Sequence, residues 1–253
     1  MPRRHDADAG GDAAVLEAKS RLRDEVWAAL RAAKAARFPG AEGRIPNFVG
    51  AEAAAERLRG VKAWQDAHTV KANPDAPQWP VRQRALEDGK TLYMAVPRLA
   101  EAKPFFLLDP ARLVDSSRQA SSIKGASRSA VPVDVADLEP VDLVVAGCVA
   151  VGEDGARLGK GGGFSDLELA VAAEAGLVDR STIVVTTVHE LQVKPPGTIP
   201  TTAHDIHVDV VVTPERVVEC PRRRGYRAPR LWWDDLTEEK IAAIPLLQRL
   251  RVT

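Results

Sequence analysis

The sequence predicts an α/β domain in which helices flank a mostly parallel central sheet. Short apolar runs of strand length alternate with segments of helical periodicity along the chain, and this alternation is typical of α/β proteins. Between residues 141 and 188, a strand, a glycine-rich loop, a helix and a second strand follow one another. Such a βαβ unit places its two strands parallel, with a right-handed crossover.

Composition excludes several classes of protein. We expect one domain over residues 12–253, a disordered tail over 1–11, and a monomer. Lys+Arg and Asp+Glu balance at 35 each, so no net field favours nucleic acid or a membrane as a partner. No apolar run approaches the roughly 18 residues of a membrane-spanning helix, and the N-terminus lacks the apolar core of a secretory signal. Two cysteines, Cys148 and Cys220, are too few for a disulfide framework and indicate a reducing cytoplasm.

The N-terminal half is predicted to contain helices and strands in alternation. Apolar residues at three- and four-residue spacing predict a first helix that starts at Asp12 and continues to about Ala36, before Phe38-Pro39-Gly40. The further predicted elements are helices over 51–58 and 81–87, strands over 90–97 and 105–108, and a strand that ends at the Asn73-Pro74 turn. The serine-rich, basic stretch 115–130 is interpreted as a mobile solvated loop, with phosphate binding by its basic residues as the alternative.

The C-terminal half has the clearer strand pattern. Its predicted elements are strands over 141–147, 182–188, 206–212 and 216–220, and a final helix over 238–251. Thr237 is a suitable N-cap for that helix because its hydroxyl can accept from an exposed N–H group of the first turn. Ligands of open α/β sheets bind beyond the carboxyl ends of the strands, which directs attention to the loop after residues 141–147.

That loop, Arg157-Leu-Gly-Lys-Gly-Gly-Gly-Phe-Ser-Asp166, has four glycines within five positions. Glycine allows backbone N–H groups to approach a ligand closely. Ser165 and Glu168 fit a capping box at the start of a helix, and Gly176 fits its stop. A glycine-rich loop before a helix N-terminus is a candidate anion site, although the spacing fits neither a Walker A loop nor a dinucleotide fingerprint. A flexible surface loop is the alternative.

Charged residues strengthen the anion-site interpretation of this loop. Arg157 and Lys160 bring positive charge, and Asp166 could hold a divalent cation beside bound phosphates.

Three other groups of residues have competing interpretations. His204, Asp205 and His207 could ligate a metal, but polar residues at the start of a strand are the commoner case. Cys148 is interpreted as a small buried residue and not as a nucleophile. The cluster 221–227, with Arg230, Trp232 and Trp233, mixes basic and aromatic residues as RNA-binding proteins do, and a solvated basic turn is the alternative.

The glycine loop and its flanks resemble the 5-formyltetrahydrofolate cyclo-ligase (methenyltetrahydrofolate synthetase) family. The family pattern is Gly-x-Arg-Leu-Gly-x-Gly-x-Gly-Tyr-Tyr-Asp, and this chain has Gly155-Ala-Arg-Leu-Gly-Lys-Gly-Gly-Gly-Phe-Ser-Asp166. The family's Lys-x-x-Leu-Arg occurs as Lys19-Ser-Arg-Leu-Arg23. Within the family, the segments 70–75 and 159–168 are most similar to the cyclo-ligase-like domain of methenyltetrahydrofolate synthetase domain-containing proteins.

The resemblance implies a NagB/RpiA-like fold and an enzyme that uses ATP and Mg²⁺. In the family, ATP phosphorylates the formyl oxygen of 5-formyltetrahydrofolate, and N10 then displaces phosphate to give 5,10-methenyltetrahydrofolate. By position, the implied catalytic residues are Arg157, Lys160 and Asp166, and the implied Mg²⁺ ligands are Asp166 and Asp205. The implied ATP contacts are Lys19, Arg23, Arg157, Gly159, Lys160, Gly161, Gly162, Gly163, Phe164 and Asp166.

The chain departs from the family pattern at several positions. Phe164 stands at the first Tyr and Ser165 at the second, Leu167 replaces a common Arg, and Ala146 replaces a Pro. The family's folate-contacting Glu and Thr are not identified in the N-terminal half. Two hypotheses follow: a Mg·ATP-dependent cyclo-ligase with a folate substrate, or a non-catalytic regulator that keeps the fold and binds nucleotide, folate or RNA.

Overall fold

A computed structural model describes residues 5–202, 205–221 and 229–252 of the chain. The described residues contain eleven strands: β1 (Thr69–Ala72), β2 (Thr91–Ala95), β3 (Phe105–Leu108), β4 (Val131–Val133), β5 (Leu143–Val145), β6 (Ala150–Gly152), β7 (Arg157–Leu158), β8 (Ile183–Thr187), β9 (Val193–Lys194), β10 (Val210–Val212) and β11 (Val217–Glu219). They also contain nine α-helices: α1 (His5–Ala32), α2 (Ala51–Arg59), α3 (Lys62–Asp66), α4 (Trp79–Glu87), α5 (Ser117–Ala120), α6 (Ile123–Ser129), α7 (Phe164–Glu174), α8 (Glu238–Ala243) and α9 (Pro245–Val252).

Eight of these strands form the large sheet, in the order β11-β10-β8-β5-β1-β2-β3-β4. The five strands from β10 to β2 pair parallel, and antiparallel pairs occur only toward the two edges. Strands β5 and β8 are parallel neighbours, with Val144 opposite Val184. This arrangement confirms the predicted mostly parallel sheet and its βαβ unit.

Helices cover both faces of this sheet because successive strand residues point to opposite sides. Leu143 and Val145 pack in a core with α2, α3 and α4, whereas Val144 packs in a second core with α7, α8 and α9. Helix α1 packs elsewhere, against the small sheet of order β7-β6-β9. Because β7 leads into the glycine loop, this packing brings α1 beside that loop.

Helix α1 begins at His5 and ends at Ala32, so both predicted ends are corrected. Residues 5–11, predicted as part of a disordered tail, belong to this helix, and residues 1–4 lie outside the described part. Gly10 and Gly11 each disfavour a helix by about 1 kcal/mol relative to alanine.

The stretch 115–130 was predicted to be a solvated loop, but it forms the short helices α5 and α6. Two of its six serines act as N-caps: Ser116 Oγ accepts from Gln119 N, and Ser122 Oγ accepts from Gly125 N. Ala120 and Ala126 are fully buried in the core that also contains α4. Two of the serines that suggested a loop therefore mark helix starts.

Three further boundaries differ from the predicted ones. Helix α7 begins at Phe164, with Gly163 as its N-cap at φ 65°, so Ser165 lies inside the helix and forms no capping box. The final helix is divided into α8 and α9 because Pro245 cannot continue a helix. Thr237 caps α8 as predicted, since it accepts from Lys240 N. Strand β10 covers only Val210–Val212, while His207 forms an isolated bridge to Ala156.

Among the described helices, none combines the length and the hydropathy that a membrane span requires.

Candidate active site

A cavity of about 430 Å³ lies between the glycine loop, α1, α7 and the segment before and within α8. One group of lining residues is charged or glycine: Lys19, Arg23, Arg157, Asp166, Asp205, Arg230, Lys240, Gly159, Gly161 and Gly163. A second group is apolar and includes Leu16, Leu167, Ala170, Leu231, Trp232 and Leu236. The cavity thus offers both a charged surface and an apolar surface to one ligand.

The glycine loop is held from both sides by cations. Arg23 Nε of α1 donates to Gly159 O at 2.8 Å, and Lys240 Nζ of α8 donates to Gly162 O at 3.2 Å. Gly161 has φ 104°, a backbone conformation that side-chain-bearing residues rarely adopt. Burial lowers the pKa of Arg23, although the charge of Asp205 opposes that effect.

Arg157 and Asp166 form a partly buried ion pair at the base of the loop. The two Nη2···Oδ distances are 2.7 and 2.8 Å, and Arg157 Nη1 also donates to Gly147 O at 2.8 Å. Arg157 is only 3% exposed. Burial opposes its charge, but the neighbouring charge of Asp166 prevails and raises the pKa of Arg157. The pair fixes β7 to the first turn of α7.

Lys19 and Asp205 form a second ion pair in the same cavity, with 2.5 Å between Nζ and Oδ2. Asp205 Oδ2 also accepts from the backbone N–H of Thr202 at 2.6 Å. Lys19 is 6% exposed, so α1 places a buried cation close to the carboxylate that the sequence identified as a metal ligand.

The two carboxylates retain room for a cation. Asp166 Oδ2 accepts only from Arg157, and none of the hydrogen bonds among the described residues uses Asp205 Oδ1. A carboxylate oxygen has two lone pairs, and Mg²⁺ is usually held by one or two carboxylates together with substrate phosphates. The donor set therefore fits Mg²⁺ beside a polyphosphate. No group of three or more His, Cys, Asp or Glu suited to a metal occurs in the described part of the chain.

A sequence profile of the 5-formyltetrahydrofolate cyclo-ligase family matches residues 15–214. The chain belongs to this family. Methenyltetrahydrofolate synthase domain-containing proteins of Mus musculus and Homo sapiens are 37% identical over 235 residues and 34% identical over 243 residues. These matches cover 92% and 94% of this chain but only 63% and 62% of the relatives, so the chain spans less than two thirds of their length.

A solved structure shares the fold. The 5,10-methenyltetrahydrofolate synthetase of Aquifex aeolicus superposes with a TM-score of 0.51 at 22% identity, over 83% of this chain and 96% of that chain. The cyclo-ligase fold expected from the sequence is confirmed.

The structure brings together most of the residues that the cyclo-ligase pattern singled out. Lys19, Arg23, Arg157, Asp166 and Asp205 line one cavity with three of the loop glycines. Lys160 does not line it and lies 3.2 Å from Asp75 Oδ1. Gly162 and Phe164 are also absent from the lining; instead, Lys240 Nζ lies 5.3 Å from the centre of the Phe164 ring.

A polar cluster around Gly147 was missed by the sequence reasoning. Gln78 is fully buried, and neither its Oε1 nor its Nε2 has a partner among the described atoms. A side chain on Gly147 would place its Cβ 3.0 Å from Gln78 Oε1 and 2.9 Å from Asp75 Oδ2, so both polar side chains lie directly against this glycine. Asn73 Oδ1 accepts from Gly147 N at 3.3 Å. The Asn73-Pro74 turn was the available signal, but it indicated only a turn.

Ser165 and Glu168 have partners other than the predicted capping box. Ser165 Oγ accepts from Asn73 Nδ2 at 3.0 Å, and Glu168 Oε2 accepts from Asn73 Nδ2 and from Lys71 Nζ at 2.9 and 2.5 Å. Lys71 and Glu168 are both buried. The first turns of α7 are thereby tied to the end of β1.

The remaining candidate groups are resolved in part. His204 and most of the basic cluster, 222–228, lie outside the described residues, whereas Arg230 and Trp232 line the cavity. Cys148 is buried, as predicted, and burial raises the pKa of its thiol to about 11.

Proposed function

We propose that this chain is a Mg·ATP-dependent cyclo-ligase that converts 5-formyltetrahydrofolate to 5,10-methenyltetrahydrofolate, with release of ADP and phosphate. One observation carries the proposal: a glycine loop before a helix N-terminus, buried and half-buried cations and two carboxylates line a single cavity. Membership of the cyclo-ligase family supports the choice of a folate substrate.

In this proposal the polyphosphate of ATP lies along the glycine loop. Lys19 and Arg23 reach it from α1, and backbone N–H groups of residues 159–163 approach it closely because the loop carries few side chains. Arg157 acts mainly through Asp166, since both Nη2 contacts are already made to that carboxylate. Asp166 and Asp205 would hold Mg²⁺, which neutralises phosphate charge when bound.

The reaction requires little covalent chemistry from the protein. The formyl oxygen attacks the γ-phosphorus of ATP, and the bond to the ADP oxygen breaks. N10 then attacks the formyl carbon and loses its proton to solvent, and the carbon–oxygen bond breaks with release of phosphate. Phosphoryl transfer depends mainly on positioning and on stabilisation of charge, and these are the properties that the cation-lined loop offers.

The cluster around Gly147 is a suitable place for the folate heterocycle. Asp75 and the unpartnered amide of Gln78 together offer hydrogen-bond acceptors and donors, and a pterin ring carries both kinds of group at its edge. Lys160 joins this cluster to the glycine loop through its 3.2 Å contact with Asp75. We place the folate substrate on this side of the loop.

A non-catalytic nucleotide-binding or folate-binding regulator is the second candidate. Phe164 and Ser165 occupy the positions of the family's two tyrosines, and Phe164 does not line the cavity. A binding protein retains the cavity but does not turn over its ligands.

The decisive experiment mixes purified protein, Mg·ATP and 5-formyltetrahydrofolate and follows the methenyl absorbance together with ADP. We expect both signals to rise at the same rate. Asp166→Asn should reduce that rate by about 100-fold or more, the usual effect of removing one preorganised charge from a site. Lys62→Gln, on an exposed surface pair with Asp66, is the control. Bound nucleotide without either product would favour the regulator.

A further inference from the structure

The segment from Arg230 to Lys240 forms one wall of the cavity. It contributes Arg230, Leu231, Trp232, Leu236 and Lys240 to the lining. All five lie beyond residues 15–214, the part of the chain matched by the family profile. The family pattern therefore assigns no role to this wall.

Lys240 contacts the glycine loop only through uncharged groups among the described residues. Its Nζ donates to Gly162 O at 3.2 Å and lies above the Phe164 ring, and it has no carboxylate partner among the described residues. Burial lowers the pKa of Lys240, while the charge of Asp166 opposes that shift. A partly desolvated ammonium that contacts no carboxylate is stabilised when an anion binds.

Arg23 provides a counterpart on the other side of the loop. It too contacts the loop through a backbone carbonyl, Gly159 O, and has no carboxylate partner in the described ranges. Two cations thus flank the glycine loop, one from α1 and one from α8, and a phosphate chain on the loop would meet both.

The wall and α1 both contribute apolar residues to the cavity. Leu16 of α1 precedes Arg23 by about two helical turns, or roughly 10 Å along that helix, and is 61% exposed. Trp232 lines the same cavity, and the guanidinium of Arg230 lies 3.7 Å from its ring centre. An aromatic ring together with a guanidinium is a combination on which nucleobases stack.

We propose that this wall completes the nucleotide site: Lys240 binds phosphate oxygens, and Trp232 stacks against the base. The inference rests on the proposed function for the identity of the ligand, ATP. It assigns to the segment 230–240 a role that the family motifs do not contain.

Binding measurements with two probes test the two halves of the proposal. ATP and inorganic tripolyphosphate share phosphates, but only ATP has a base. Isothermal titration measures the affinities. Lys240→Gln should lower the affinity for both probes by about 10-fold or more, since a hydrogen bond to a charged group is lost. Trp232→Leu should weaken ATP by about 5-fold to 100-fold and leave tripolyphosphate unchanged. Lys62→Gln removes the same charge from an exposed surface site and should change neither affinity.

Conservative variants separate binding from folding. Lys240→Arg and Trp232→Phe should retain most of the affinity, and circular dichroism should show all variants folded. Wild-type affinity for both probes in Lys240→Gln would overturn the phosphate role of Lys240. If Trp232→Leu weakened the binding of ATP and of tripolyphosphate equally, or weakened neither, the base role of Trp232 would be overturned. If the wild type binds neither probe, this inference and the proposed function both fail. If it binds ATP but forms no product, only the proposed function fails.

Discussion

At the scale of single residues, burial decides which side chains can take part in chemistry. Cys148 follows a central strand, where a nucleophile could stand, but its Sγ lies 3.1 Å from Thr186 Oγ1 inside the core. Burial raises the pKa of the Cys148 thiol to about 11 and that of Cys220 to about 12. Because only the thiolate is nucleophilic, neither cysteine suits catalysis at neutral pH.

This burial predicts slow reaction with thiol reagents. At pH 8 the thiolate fraction of Cys148 should be about 100-fold below that of a free thiol with a pKa of 9.0. Restricted access of the reagent to the buried thiol slows the reaction further. We expect the native protein to react at least that much more slowly than the urea-unfolded chain. Rapid labelling of either cysteine in the native protein would contradict the packing described here.

The same shift has a consequence for stability at high pH. The folded pKa of Cys148 is the higher one, so the unfolded chain loses its proton first. The contribution of the protonated Cys148 thiol to the stability of the folded state is therefore complete below about pH 9 and is lost as the pH rises toward 11.

At the scale of elements, the buried pair of Lys71 and Glu168 joins β1 to α7. The two side chains are 3% and 4% exposed, and their atoms Nζ and Oε2 lie 2.5 Å apart. Asn73 donates to the same carboxylate and to Ser165. The pair therefore positions the helix whose N-terminus follows the glycine loop.

A double-mutant cycle tests this connection. Lys71→Met alone leaves the Glu168 carboxylate without its cation partner, and we expect a loss of about 3–5 kcal/mol in the free energy of unfolding. Adding Glu168→Leu should recover much of that loss, because an apolar pair of similar size needs no compensation. Urea denaturation measures both, and the exposed pair Lys62 and Asp66, treated in the same way, should cost about 1 kcal/mol or less. Additive effects at the buried pair would rule out the coupling.

Sequence reasoning found the elements whose signals are local. The β-branched runs of β5 and β8 and the glycine loop were identified because periodicity and glycine content are visible in short windows. The predicted capping box at Ser165 was wrong because the helix already begins at Phe164, and the Ser165 hydroxyl accepts from Asn73 instead. Contacts such as that of Lys240 with Gly162 join segments far apart in the chain, and no local pattern encodes them.

At the scale of the whole molecule, the candidate site joins three distant parts of the chain. Lys19 and Arg23 come from α1, Asp166 from the glycine loop and α7, and Lys240 from α8. The sequence has a formal net charge of zero, yet cations from these parts face one cavity. The proposed attraction for a polyphosphate is therefore local, and it depends on the correct packing of α1 and α8 around the loop.

A ligand that bridges these parts should stabilise the folded molecule. With Mg·ATP at about 100 times its dissociation constant, linkage predicts a gain of about 2.7 kcal/mol. For a chain of this size that gain corresponds to a rise in Tm of roughly 5–10 °C. Adenosine lacks the phosphates and should raise Tm far less at the same concentration. Thermal denaturation followed by circular dichroism measures both ligands, and the rise with ATP should shrink as salt screens the phosphate contacts. Equal effects of ATP and adenosine would show that the cations around the glycine loop do not bind phosphate, because only those contacts distinguish the two ligands.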